Sequence, residues 1–306
     1  MSTEPLQPPG PAEETPAATQ PALVWNAAER KTLIFFLVVA FVLPLPLLLV
    51  LRPVSIGGHP VWTVQSELLV KSVSAFFVVL ATWLASRRQQ RPLADYGIPP
   101  NAIFGARFWE GAVWGFSLLS AILLFLRATG HFEIQSVALS GKAIYAYGLA
   151  WALGFFFVAI GEEFTFRGYL LFLLSWRAGF WRAAAGMSIG FAFAHVFNPG
   201  ETLLGILHVV AIGLFFCFTI RRTGTLWFAV GFHAFWDWAE TFFYGTPDSG
   251  LMGEGHFLVT SFHGPAWLTG GSAGPEGSIL ATLAMVLAAF LVHLRFPRVL
   301  YPDRPR

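Results

Sequence analysis

Apolar runs of bilayer-crossing length recur along this chain, and in lipid such a run satisfies its own backbone only as a helix. A hydrocarbon core takes about 20 mostly apolar residues per helix, within a range of about 17 to 25. By that measure the candidates are Thr32 to Leu51, Leu68 to Ala85, Phe108 to Leu126, Ala143 to about Ile160, Ala183 to Asn198, Leu203 to Ile220, Leu226 to Tyr244 and Ile279 to Leu294. Of 306 residues 56% are hydrophobic and only 12% charged, with a mean hydropathy of +0.63, which leaves too little charge to cover a soluble surface. The fold expected is an all-α integral membrane protein of about eight transmembrane helices, with a polar site in the bundle core.

The fourth run reads on as one long helix to Ser175, because Gly168 is the only weak helix former on the way. The fifth is stopped by Asn198-Pro199, where proline lacks an amide and restricts the residue before it. Residues 1 to about 28 are Pro-, Ala- and Thr-rich with Glu4, Glu13 and Glu14, a composition that reads as a disordered tail. No basic segment precedes an early apolar run, so the first span is expected to stay uncleaved. Cys217, the single cysteine, lies inside an apolar run and reads as a small buried hydrophobe.

Basic residues sit in alternate loops. Arg87, Arg88, Arg91 and Arg107 follow the second span, Arg177 and Arg182 the fourth, Arg221 and Arg222 the sixth, and Arg295, Arg298, Arg304 and Arg306 the eighth. The intervening loops are nearly free of Lys and Arg, and Gly245 to Ser278 has none. The positive-inside rule then gives a multi-pass protein of the cell (inner or plasma) membrane with both termini cytoplasmic. These arginines are accounted for by topology, and no basic stripe suggests nucleic acid.

Three polar patterns interrupt the apolar spans. In Glu162-Glu163-Phe164-Thr165-Phe166-Arg167, Glu163 and Arg167 are spaced i,i+4 and share a helix face. Arg167 can pair with one carboxylate and leave the other free to act as a general base on water; the bland reading is an ion-pair cluster that fixes packing. Phe191-Ala192-Phe193-Ala194-His195 sets a ring and an imidazole one turn apart, and alone such a histidine is more often satisfied by the backbone than catalytic. His233-Ala234-Phe235-Trp236-Asp237 projects an imidazole and a carboxylate from one face, a pair suited to orienting the histidine, to supporting an oxyanion or to supplying two metal ligands.

At about 1.5 Å rise per residue, His195 lies about 18 Å in from Arg182 and His233 about 16 Å in from Arg222, so the three patterns can meet between the membrane middle and its cytoplasmic half. Ionisable groups at membrane depth are costly and persist where they are paired or functional.

These motifs, Glu-Glu-x-x-x-Arg at 162 to 167, Phe-x-x-x-His at 191 to 195 and His-x-x-x-Asp at 233 to 237, resemble in order and spacing those of the CPBP family, the CAAX-protease and bacteriocin-processing group also called Abi. The resemblance covers about residues 140 to 245 closely and the first three spans by general layout. Many members end the third motif in Asn; this chain has Asp237, which when ionised accepts hydrogen bonds but cannot donate one. The resemblance implies an intramembrane endopeptidase acting on membrane-anchored peptide or protein substrates, prenylated CAAX proteins or bacteriocin-type peptides among them. It implies that Glu162 with His195 activates water, that Glu163 and Arg167 balance the pocket's charge, and that His233 with Asp237 stabilises the tetrahedral intermediate. A metal reading uses Glu162, His195, His233 and Asp237 as ligands for zinc. No HExxH is present, and the choice between a glutamic and a metallo mechanism stays open here.

The chain then divides into a tail (1–28), N-terminal membrane helices (29–139), a catalytic core (140–245), and an outer loop, last helix and basic tail (246–306). Two further classes compete. A proton-coupled transporter also needs carboxylates and histidines at depth, but no internal repeat is visible. A non-catalytic scaffold or immunity protein would keep its phenotype when Glu162 is replaced. His208 reads as a satisfied or lining group, and Glu240 as lining the same cavity or capping the span. His256 and His263 fall in the Gly-rich outer loop, which reads as mobile or partly re-entrant.

Overall fold

The computed structural model describes residues 25–51, 55–56, 59–60, 63–198 and 201–301. The expected tail therefore lies outside the described residues up to position 24, as does Pro199. Helix α1 (Ala27–Leu37) starts ahead of the expected first span because Asn26 and Glu29 form a reciprocal capping box, Asn26 accepting from the Glu29 amide at 2.8 Å and Glu29 from the Asn26 amide at 3.0 Å. A π-helical segment, Val38–Val42, carries it towards α2 (Leu45–Val50), which Pro44 precedes. A short antiparallel pair, β1 (Ser55–Ile56) and β2 (His59–Pro60), leads to α3 (Val64–Arg88), capped by Thr63. Then follow α4 (Ala106–Ala128), β3 (Phe132–Val137), α5 (Lys142–Arg167), α6 (Tyr169–Ala178), α7 (Phe180–His195) and α8 (Leu203–Thr223). The chain continues through α9 (Trp227–Trp238), prolonged by a π-helical segment Ala239–Tyr244, and β4 (Leu258–Phe262), α10 (Ala266–Thr269) and α11 (Ile279–Arg295).

The protein is an all-α membrane protein with little sheet. Among the described residues five helical stretches are long and apolar enough to cross a bilayer: Ala27–Val50, Val64–Arg88, Ala106–Ala128, Lys142–Ala178 and Leu203–Thr223. Of the other expected spans, α7 has 16 residues, α11 has 17, and α9 has 12 before its 6-residue π-helical extension.

The fourth span is not one continuous helix. At Gly168 the backbone turns to φ −85°, ψ −124°, where a Cβ would stand 2.5 Å from the Phe164 carbonyl oxygen, so α5 ends and α6 starts in a new direction. Glycine was therefore the breaker at this position, its missing side chain permitting the close approach.

In lipid there is little hydrophobic force between helices, and close backbone contact through small residues takes its place. Helices α4 and α9 meet in this way. A Cβ on Gly111 would collide with the Phe228 carbonyl oxygen, one on Gly115 with that of Phe232, and one on Gly231 with that of Phe108. This seam fixes the face of α9 that carries His233. Replacing Gly231 by valine is expected to force the helices apart and to lower the yield of monodisperse protein in detergent severalfold; an unchanged elution profile and melting temperature would show that the seam is not required.

The basic loops gather at one end of the bundle. Arg177 pairs with Glu29, Glu110 binds both Arg107 (2.5 Å) and Arg295 (3.6 Å), Arg91 lies 4.2 Å over the Trp176 ring, and the Leu300 amide donates to the Arg221 carbonyl at 2.9 Å. At the other end β3 and β4 pair antiparallel, with an irregularity between Ile134 and Ser136. Phe132 faces Phe262 across the strands, their ring centroids 5.2 Å apart. The segment 245–278 is thus organised, not a loose loop: it supplies β4, α10 and two 3-10 turns, and it buries Ala273, Pro275 and Gly277.

Candidate active site

Helix α5 carries three charged groups into the bundle at its C-terminal end. Glu163 and Arg167, one turn apart, are both fully buried and bonded, Arg167 Nη1 to Glu163 Oε1 at 3.0 Å. The guanidinium also lies 4.1 Å from the Phe191 ring centroid and 5.6 Å from that of Phe216, so aromatic faces take the place of water around the cation. Helix α8 can approach because position 213 is glycine; a Cβ there would be 2.9 Å from both Arg167 Nη2 and Ser188 Oγ.

His233, presented by α9, joins the same carboxylate. Its Nδ1 is 2.9 Å from Glu163 Oε1, and its Nε2 is 3.3 Å from Asp237 Oδ2 and 3.7 Å from Glu162 Oε2. Carboxylates therefore face both ring nitrogens, Nδ1 hydrogen-bonded to Glu163 and Nε2 in charge contact with Asp237. Its plane stacks on Phe216 at 5.8 Å, a ring that also covers Arg167.

Glu162, neighbouring Glu163 in sequence, points to a different face, into a cavity of about 480 Å³. His195, Asp237 and Glu67 share that cavity, as do Asp248 and Glu276 from the outer segment. Glu162 is not left free by the arginine, as the spacing alone suggested: Lys71 Nζ on α3 lies 3.5 Å from its Oε1 and 3.7 Å from Glu67 Oε1. His195 closes the cavity from the end of α7. Its Nδ1 sits 2.9 Å from the Phe191 carbonyl, which can only accept, so Nδ1 donates there and Nε2 is the nitrogen left facing the cavity. Phe191 thus fixes the imidazole through its carbonyl and covers Arg167 with its ring.

All six candidate residues, Glu162, Glu163, Arg167, His195, His233 and Asp237, belong to this assembly: Glu163 and Arg167 form its buried base and the others line the cavity. His208 lines it too, 2% exposed, and its Nδ1 finds no partner among the described residues. Cys217 is fully buried. His256 and His263 bond locally, to the Gly253 carbonyl and to Glu133 respectively. Sequence reasoning passed over Lys71 and Glu67. Their signal was an i,i+4 charge pair at the mouth of the second apolar run, with the lysine inside it. Asp248 and Glu276 carried no local signal.

The outer acids are unusual for groups outside the spans. Burial, with the nearby Asp237 charge, holds Asp248 well above the ordinary carboxylate range. Burial also pushes Glu276 up to about 7, against two hydrogen bonds of 2.6 Å from the Ser249 amide and hydroxyl.

As a zinc shell the set Glu162, His195, His233 and Asp237 fits poorly. Zinc ligands converge on one ion at about 2.0 to 2.3 Å, and among the described residues no three of these four bring ligand atoms within 4.8 Å of one another. The arrangement instead offers a carboxylate flanked by a lysine and an imidazolium-type donor, opposite a histidine with an open nitrogen, in a pocket walled by Phe155, Val158 and Ile212. Such a constellation can take a proton from water and stabilise negative charge on an oxygen.

Residues 145–239 match the family model described as type II CAAX prenyl endopeptidase Rce1-like. The matched stretch holds all six candidate residues, while Lys71, Asp248 and Glu276 lie outside it. No curated protein matches the chain.

Proposed function

We propose that this chain, which belongs to the CPBP/CAAX-protease family through residues 145–239, hydrolyses a peptide bond of a membrane-anchored substrate with water activated by Glu162 and His195. The observation that carries this reading is the cavity in which the carboxylate of Glu162 and His195, with its Nδ1 proton committed to Phe191, both face the same space. Glu162 takes a proton from water as the oxygen attacks the scissile carbonyl carbon, and Nε2 of His195 accepts a hydrogen bond that orients that water. The developing oxyanion meets the Nε2–H of His233 and the ammonium of Lys71, both already within 3.7 Å of Glu162. Collapse breaks the C–N bond, and the proton held by Glu162 passes to the leaving amine.

On this reading Asp237 does not itself hold the oxyanion. At 3.3 Å from His233 Nε2 it orients the ring that does, which accommodates an acid where many relatives have an amide. Glu163 performs the same service at Nδ1, and Arg167 balances its charge. The substrate class follows from the membrane setting and the family: a protein or peptide held at the bilayer, such as a prenylated C-terminal CAAX segment, with both termini of this chain on the cytoplasmic side where its basic loops gather.

The test is cleavage of a panel of prenylated and unprenylated membrane peptides by purified protein in detergent, with and without chelator. Expected is cleavage that survives EDTA and 1,10-phenanthroline and falls about 100-fold or more in His195→Ala. Cleavage abolished by chelator and restored by zinc would overturn the glutamate mechanism, and no cleavage by well-folded wild type would favour a scaffold. Lys71→Met is expected to lower kcat more than it raises KM, because Lys71 acts on charge that develops in the transition state.

A further inference from the structure

The cavity's outer end holds a second acidic group that the hydrolytic reading does not use. Glu240, in the π-helical segment after α9, Asp248 and Glu276 each point a carboxylate oxygen to one place, these atoms all lying within 4.8 Å of one another. Glu240 is 0% exposed, and among the described residues neither of its oxygens accepts a hydrogen bond. The Trp236 indole lies close by, outside hydrogen-bond geometry. Among the described residues no lysine, arginine or histidine forms an ion pair with any of the three.

The surrounding backbone is shaped to this cluster. Gly274 adopts φ +99°, and a Cβ on it would sit 3.1 Å from Glu240 Oε1 and collide with the Pro247 carbonyl oxygen, so only glycine lets the outer segment close over the glutamate. Asp248 is held by a bridge to Leu251 and accepts from Thr241 Oγ1 at 3.2 Å, while Ser249 pins Glu276 with two hydrogen bonds. Three carboxylates, one of them wholly buried without a donor, must be balanced by a cation or by shared protons, and their convergence on one point suits a cation.

We propose that Glu240, Asp248 and Glu276 bind a hard divalent cation of the calcium class, which fastens the outer segment to the end of α9. Calcium takes oxygen ligands at about 2.3 to 2.6 Å, so ligand atoms up to about 4.8 Å apart can share one ion. Carboxylate-only donors select against zinc and copper. The site shares a cavity with the proposed hydrolysis but uses none of its residues, and binding is measured without turnover.

The experiment uses the full chain in detergent, stripped with EDTA and titrated with Ca²⁺ while thermal unfolding is followed; Tb³⁺ emission sensitised by tryptophan, with Trp236 adjacent, reports occupancy directly. Expected is a rise of about 5 °C at 100-fold excess over Kd that continues with the logarithm of the Ca²⁺ concentration, with saturable Tb³⁺ emission displaced by Ca²⁺. Both signals should be lost in Glu240→Gln and in Asp248→Asn, and kept in Glu162→Gln even though hydrolysis is lost there. Absence in wild type of any Ca²⁺-dependent thermal shift and of any saturable Tb³⁺ emission, or an undiminished response in both acid-site variants, overturns the proposal and leaves shared protons as the balance. Should one acid-site variant fail to fold, the wild-type titration and the other variant still decide.

Discussion

Replacing Glu162 by glutamine is expected to lower the rate of peptide hydrolysis about 10³-fold, within the 10² to 10⁴ that a positioned general base contributes. The amide keeps the shape of the side chain but takes no proton from water, and it exchanges the Lys71 ion pair at 3.5 Å for a weaker contact. Because Lys71 and Glu162 are both partly open to the cavity, their side chains 33% and 25% exposed, little stability should be lost with the charge. The measurement is single-turnover cleavage of a fluorogenic membrane peptide, with thermal unfolding as the control. A Glu162→Gln, His195→Ala double variant should fall little below the worse single variant, because the two act on the same water. Residual activity of Glu162→Gln within tenfold of wild type would remove Glu162 from the proton-transfer step.

Replacing Arg167 by methionine is expected to act on stability first. The pair it forms with Glu163 is wholly buried, and removing one partner leaves an uncompensated charge, which costs about 3 to 5 kcal/mol. At about 2 to 4 °C per kcal/mol, the figure for large domains, the melting temperature should fall by about 6 to 20 °C. The double variant Glu163→Gln, Arg167→Met removes both charges together and should recover much of the loss, while turnover would still be slower, with the His233 Nδ1 now held by a neutral amide instead of a carboxylate. Equal melting temperatures for wild type and Arg167→Met would mean that Glu163 is balanced by His233 alone.

The two effects separate the roles of adjacent glutamates. Glu162 and Glu163 differ by one residue and therefore by about 100° around α5. One faces the cavity and the other faces Arg167 and His233 in the dry interior. One step along the helix thus turns one carboxylate to the cavity and the next to a buried arginine and imidazole.

Much of this was readable from residues alone, since lipid leaves a chain few choices. A helix must close its own hydrogen bonds, so long apolar runs fixed the fold class, and i,i+4 spacing put Glu163 with Arg167 and His233 with Asp237 on shared faces before any packing was known. The three motifs named six side chains that the fold brings together, and the resemblance they carry agrees with the family match over residues 145–239. What spacing could not supply was contact between distant segments. Gly168 was read as tolerable within a helix, yet it breaks one, because the deciding distance is to the Phe164 carbonyl oxygen. The Gly111-x-x-x-Gly115 pattern was present but became a helix seam only when Gly231 met it from α9. Lys71 belongs beside Glu162 through the packing of α3 on α5, and Glu240, Asp248 and Glu276 converge through the fold of the outer segment. Local pattern determines what each helix can present; which charges share one cavity is decided by tertiary packing, because a Coulomb or hydrogen-bond partner is chosen by distance in space and not by distance along the chain.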